Sequence, residues 1–248
     1  MKDLRPLIAA HFRNSYRQKG PVIVMICLAA LLIAALVALV CGLALMPELK
    51  AQAPDGAKIA RYFALLVYGT GLLAMGMNLT VFTSNNLVRE KEQRIYETIL
   101  GGPVSASRLW MAKSLAVFLP GFALCELTSL ATFLAVKALV VGSALPPGAS
   151  PLLLANGLVL VPLLYFPLAC LVILAGLAGN PVSGTVLSNV VYACLISLLI
   201  NLATRAKLDV GSAGFALASL SVSGLLGILA LVLGRGLTKE RIILSSRS

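Results

Sequence analysis

The sequence predicts an all-α integral membrane protein. It should have six transmembrane helices, an amphipathic helix ahead of them at the membrane interface, and a short cytoplasmic helix between the second and third spans. Three observations carry this. Of 248 residues, 59% are hydrophobic and only 12% are charged, with a mean hydropathy of +0.97; soluble domains carry about 45–50% apolar and about 25% charged residues. Six runs reach the roughly 20 apolar residues that cross a bilayer as a helix. Gly, Ala and Leu dominate these runs, without the ten-residue alternation of a lipid-facing β-barrel. Helices satisfy their own backbone groups in hydrocarbon.

Residues 1–20 form the first element. Between Asp3 and Lys19, Leu4, Leu7, Ile8 and Phe12 share one face at 3,4 spacing, and Arg5, Arg13, Arg17 and Lys19 surround the rest. That pattern suits a helix resting in the interface, or a basic tail that only sets topology. The run Val22–Met46 follows. It is too long for the 7–15 apolar residues of a secretory signal and reads as a retained first span. Ala30, Ala34, Ala38 and Gly42 place a small residue at every fourth position of this span, a ribbon that lets another helix approach closely. The ribbon suits packing within one bundle or contact with another subunit.

The remaining spans are expected near Tyr62–Val88, Leu115–Val141, Leu152–Ala178, Thr185–Thr204 and Ala213–Gly234, so that residues 21–248 form a single transmembrane domain. Outer links at Pro47–Arg61, Gly142–Pro151 and Thr204–Ser212 are short. Gly179–Gly184 is a tight inner turn without charge. Pro162 and Pro167 each remove a backbone donor from the fourth span and should bend it. In the last span Ser219, Ser223 and Gly227 repeat the small-residue spacing.

Fourteen lysines and arginines fall on one side of these spans, in residues 1–20, in the 89–113 segment and in the 235–248 tail. Six fall on the other. The positive-inside rule puts the first set, and both termini, in the cytoplasm. The net charge of +11 is mostly this topology signal. Nucleic-acid binding would need a basic surface on a folded domain, and no segment is large enough to be one. Cys27, Cys41, Cys125, Cys170 and Cys194 lie inside spans, lack CxxC spacing and read as small apolar residues. With His11 the only histidine, no metal site is expected.

The segment Leu87–Lys113 must face water, because apolar runs flank it on both sides. Its charges arrive at once, with Arg89, Glu90, Lys91, Glu92, Arg94 and Glu97. Glu90 and Arg94 form an acid-first i,i+4 pair. Ile95, Tyr96, Ile99 and Leu100 make an apolar stripe, expected to be exposed as a docking surface, or else to pack on the N-terminal helix or the membrane surface. Gly101 and Gly102 stop the helix and Pro103 confirms the stop. Ser105 or Ser107 caps the next helix, where Trp110 and Lys113 suit the interface.

This segment resembles the first cytoplasmic loop of type-2 ATP-binding-cassette (ABC) exporter permeases. The matching residues are Arg89-Glu90-Lys91-Glu92, Glu97 with Ile99 and Leu100, Gly101-Gly102, Pro103-Val104-Ser105, and Lys113, with Pro120 in the third span. Many members have Gly-Thr where this chain has Arg94-Ile95. The resemblance implies a coupling helix seated in a cleft of a separate ABC ATPase subunit, with Glu90, Glu92, Tyr96, Glu97, Ile99, Leu100, Pro103 and Ser105 as coupling residues. It also implies a second permease subunit, identical or related, embedded with this one in the lipid of a plasma (inner) membrane. ATP and Mg would sit on the partner. This chain has no GxxxxGK[ST], and so no P-loop and no ATP chemistry of its own.

Glu126, midway through the third span, is costly in hydrocarbon and points to function, a partner or a protonated state. With Asn78 and Asn156 it forms the expected translocation path. Two other readings fit the same residues. In an ion-coupled secondary transporter, Glu126 would be the proton or sodium site. A non-transporting membrane scaffold or assembly subunit would stimulate no ATPase. An intramembrane enzyme finds no support, since GxSxG, HExxH and paired intramembrane aspartates are missing.

Overall fold

The computed structural model describes residues 8–10, 19–51, 55–83, 87–138, 151–180, 182–205 and 210–245, and all regular structure among them is helical. Helix α1 (Lys19–Val40) continues through a wide π-turn at Cys41–Leu45 into Met46–Leu49. Helix α2 spans Gly56–Phe82, α3 Val88–Glu92, α4 Ile95–Leu100 and α5 Ala106–Val136. Pro151–Ala155 and a second wide turn, Asn156–Leu160, lead into α6 (Val161–Ala178). Helices α7 (Ser183–Arg205), α8 (Ala213–Arg235) and α9 (Lys239–Leu244) complete the described chain.

Five helical stretches among the described residues are long and apolar enough to cross a membrane: Ile26–Leu49, Gly56–Phe82, Ala106–Val136, Asn156–Ala178 and Ala213–Arg235. The protein is therefore multi-pass by length and composition. The expected fifth span corresponds to α7, whose described apolar part, Ser183–Leu199, is shorter. The amphipathic helix expected over Asp3–Lys19 lies outside the described residues except for 8–10, which are helical, and Lys19, which opens α1.

Helix α2 is the axis of the bundle. Asp55 caps its first turn, accepting the N–H groups of Ala57 and Lys58. In its central stretch 89% is buried, against 6% for Ile26–Leu49. It packs on α1, α5, α6 and α7, most extensively on α5. Without a hydrophobic driving force between helices in lipid, close backbone approach and interhelical hydrogen bonds hold such a bundle. Both occur here. A Cβ at Gly76 would come 2.6 Å from the Tyr192 ring of α7. Ser129 of α5 donates to the Val67 carbonyl of α2 at 3.0 Å.

The prolines of the fourth span are accommodated differently. The wide turn puts Pro162 in the first turn of α6, where its fixed φ is well tolerated. Pro167 lies inside α6 and leaves the Leu163 carbonyl without its helical donor. Ser223 of α8 fills the gap, donating to Leu163 O at 2.7 Å. The small-residue spacing of the last span thus serves packing within the chain at Ser223. The ribbon of the first span does not: Ala30, Ala34, Ala38 and Gly42 are all exposed on the outer side of α1.

Candidate functional site

Three segments far apart in sequence meet at one end of the bundle: α3 and α4, the turn after α6, and α9. Helix α3 ends at Glu92, and the chain reverses through Gln93 and Arg94. Arg94 has φ 54°, the only positive φ at a non-glycine among the described residues. This reversal breaks the helical register expected between Glu90 and Arg94, so Arg94 turns to solvent and Glu90 turns inward. Helix α4 then runs to Leu100. Gly101 stays right-handed at its end, with its N–H on Glu97 O at 3.0 Å. The stop is therefore an ordinary tightened turn, and the left-handed residue sits before the helix. Ser105, not Ser107, caps α5 by accepting the Arg108 N–H.

The interior of this junction is ionic. Glu90 forms a buried salt bridge with Lys113. The Tyr96 hydroxyl donates to the same carboxylate oxygen at 2.6 Å, and Lys113 donates to Tyr96 as well. Its ammonium lies 4.7 Å from the Tyr96 ring centroid. Burial, then the Glu90 carboxylate, pushes the Tyr96 phenol well above its ordinary pKa. Helix α5, 31 residues long, spans about 46 Å by rise and overshoots a hydrocarbon core of about 30 Å. Its first turns can therefore reach the loop.

Lys91 is the second buried cation. It donates to Gly179 O at 2.5 Å and to Ser245 Oγ at 2.8 Å, joining the loop to the turn after α6 and to the end of α9. Burial, then the nearby Lys113, lowers its pKa to about 8. Lys239 at the start of α9 donates to Leu100 O and Gly102 O at 2.9 and 3.0 Å. Carbonyls at a helix C-terminus lack intrahelical partners, so a cation there both bonds them and complements the helix dipole.

This geometry corrects the expected exposed stripe. Tyr96 and Leu100 are buried in the chain's own core, and Ile95 and Ile99 are half-buried. Tyr96 and Leu100 pack on the bundle, while the expected alternative of packing on the N-terminal helix falls largely outside the described residues. Trp110 and Lys113, expected at the interface, are buried too. Trp110 donates to Cys170 O at 2.9 Å and lies against Gly234. Of the eight residues assigned to coupling, Glu90, Tyr96 and Leu100 face inward. Glu92, Pro103 and Ser105 are exposed, and Glu97 and Ile99 lie half-buried at the rim. The structural roles of Lys91, Lys239 and Ser245 were missed, since a loop lysine reads only as a topology charge and a lone serine carries no signal.

The expected translocation residues do not form one group. Asn78 is fully buried and donates to Val117 O at 2.9 Å and to the Tyr165 hydroxyl at 3.0 Å, cross-linking α2, α5 and α6. Asn156 is equally buried and donates to Val210 O at 2.6 Å. Asn78 binds three helices together, and Asn156 ties the turn before α6 to the residues just ahead of α8. Glu126 sits apart on the outer face of α5, between exposed Phe122, Leu127 and Leu130, and its Oε1 is buried with no hydrogen-bond partner among the described residues. Those residues also hold no cluster of three His, Cys, Asp or Glu side chains suited to a metal ion.

No family model, curated protein or solved structure matches this chain.

Proposed function

We propose that the chain is the membrane permease subunit of an ABC exporter, crossing the bilayer six times with α7 as its fifth span and coupled to a separate ATPase through α3 and α4. The observation that carries this reading is the build of the junction. A short helix is held on its inner face by Glu90, Lys113 and Tyr96, and at its C-terminus by Lys239, while Glu92, Glu97 and Pro103 stay at or near the surface. Such a helix passes a push from a soluble partner into α5 and α6 without yielding. The left-handed Arg94 adds support. It occupies the position at which many permeases of this type carry glycine, the residue that adopts positive φ without penalty.

The loop, the inner turn and α9 would all be cytoplasmic, with ATP and Mg on the partner. Substrate would pass between two such permeases. The ribbon Ala30–Gly42 and Glu126, both on outward faces, suit a path shared between subunits.

Co-purification from native membranes in mild detergent tests this. A P-loop ATPase should accompany the protein in equal amount and be lost on Glu92→Arg or Glu97→Arg, with the helical fold intact by circular dichroism. An intact protein with no ATPase would sink the proposal.

One observation favours a second reading. The unpartnered Oε1 of Glu126 suits the cation site of an ion-coupled transporter. In that case Glu126→Gln would abolish proton- or sodium-driven transport in vesicles lacking ATP.

A further inference from the structure

We propose that the groove between α6, α7 and α8, at the end of the bundle that carries α9, binds an anionic phospholipid, with one acyl chain between the helices and the headgroup phosphate on Arg241. The groove has a volume of about 390 Å3, within the roughly 300–1,000 Å3 of ligand sites. Leu171 and Leu174 of α6, Leu187 of α7, and Leu229 and Leu233 of α8 wall it. Among the described residues of the lining, Arg241 is the one that carries a charge. By helical rise, Leu171 lies about 10 Å along the axis from Ala178 at the end of α6. The groove therefore reaches from the level of the inner turn into the hydrocarbon, as an acyl chain does.

The charge at the mouth gives the site its chemistry. Thr238 caps α9 by accepting the Arg241 N–H at 3.2 Å, which fixes the backbone there. The Arg241 side chain is exposed, and none of the ion pairs among the described residues involves it. Lys239, the other cation of α9, is already engaged with Leu100 and Gly102. Arginine matches a phosphate bidentately, and basic pockets between spans on the cytoplasmic side are where anionic headgroups lodge. A larger groove of about 580 Å3 beside Phe118 and Phe166 has no charged group among its described lining residues, and its Ser223 hydroxyl is already bonded to Leu163. That groove would take any acyl chain without regard to headgroup.

Native mass spectrometry of the delipidated full chain, titrated with phosphatidylglycerol or phosphatidylcholine, tests the proposal without needing an ATPase. The wild type should retain phosphatidylglycerol preferentially. Arg241→Gln should lower that affinity about fivefold, the effect of one basic residue near a charged membrane surface, and leave phosphatidylcholine unchanged. Arg241→Lys should keep most of the preference, and Ala175→Leu, which fills the groove, should weaken both lipids. Arg89→Gln, an exposed arginine at the same end, should change nothing. Equal retention of the two lipids by the wild type would overturn the assignment, because Arg241 would then only be extending from an apolar wall to water. An undiminished preference in Arg241→Gln, or an equal loss in Arg89→Gln, would overturn it as well. Thermal unfolding of each variant separates loss of the fold from loss of the lipid.

Discussion

Glu90 and Glu126 are two carboxylates of one chain, and the bundle treats them in opposite ways. Glu90 lies in a water-facing loop by sequence, yet it is almost fully buried, with an ammonium and a phenol on one of its oxygens. Glu126 lies in the middle of a span, yet it sits on the outer face of α5 with an oxygen that nothing among the described residues satisfies. A charge enclosed with its partners holds structure together. A half-buried carboxyl with an oxygen that nothing among the described residues satisfies holds nothing together there. The electrostatic cost of each follows from its partners more than from its depth.

The sharpest way to break this contrast is to orphan Glu90. Lys113→Met should destabilise the fold by about 3–5 kcal/mol, the cost of leaving one member of a buried ion pair uncompensated. The loss should be read as a drop in thermal unfolding temperature in detergent, with part of it recovered when Glu90→Gln is added. Unchanged stability would mean that the pair is dispensable.

Lys91 gives a smaller effect that depends on pH. Its folded pKa of about 8 lies below the ordinary lysine value of 10.5, so between those values the unfolded chain binds more protons than the folded one. Stability from this group therefore rises as pH climbs through that window, and its penalty is fully present below pH 8. Unfolding temperatures taken at pH 7.5 and 9.5 should rise in the wild type relative to Lys91→Met. A parallel pair of profiles would remove Lys91 from the account.

Asn78→Ala deletes the cross-link among α2, α5 and α6 and should cost about 1 kcal/mol, as interhelical hydrogen bonds in membranes do. A loss several times larger would mean that the cavity left behind outweighs the bonds. Arg94→Gly should stabilise by less than about 1 kcal/mol, because relief of the left-handed strain is offset by the freer unfolded chain.

Glu126→Gln closes the series. Stability should move by less than about 0.5 kcal/mol, as for a residue outside the packed core, while transport changes. A large loss of stability there would make Glu126 structural and erase the contrast with Glu90.

Most of the bundle was legible as apolar runs. The span near Ala213–Gly234 differs from the observed helix by a single residue at its end, one of the two expected capping serines, Ser105, caps α5, and Pro120 lies inside that helix. The inside of the loop was not legible. Hydropathy assigns the charged residues of a loop to water, so Glu90, Lys91 and Lys113 could not be read as buried without knowing that the first turns of α5 pack against the loop. Pro167 announced an orphaned carbonyl, but its partner, Ser223, lies 60 residues from Leu163 and only the crossing of α6 with α8 brings it there. The ribbon in the first span was visible as spacing, and which way it faced depended on the opposite side of α1 packing against α2.

The clasp of Lys239 on Leu100 and Gly102 also sets an order of events during synthesis. Lys239 is made 139 residues after Leu100. At about 5–20 residues per second, that is an interval of roughly 7–28 s. Through that time the loop stands without the cation that closes its helix, and α2 and α5 are already available to pair. The contact that closes α4 is therefore one of the last to become possible, and α4 is secured at its C-terminus only when α9 arrives.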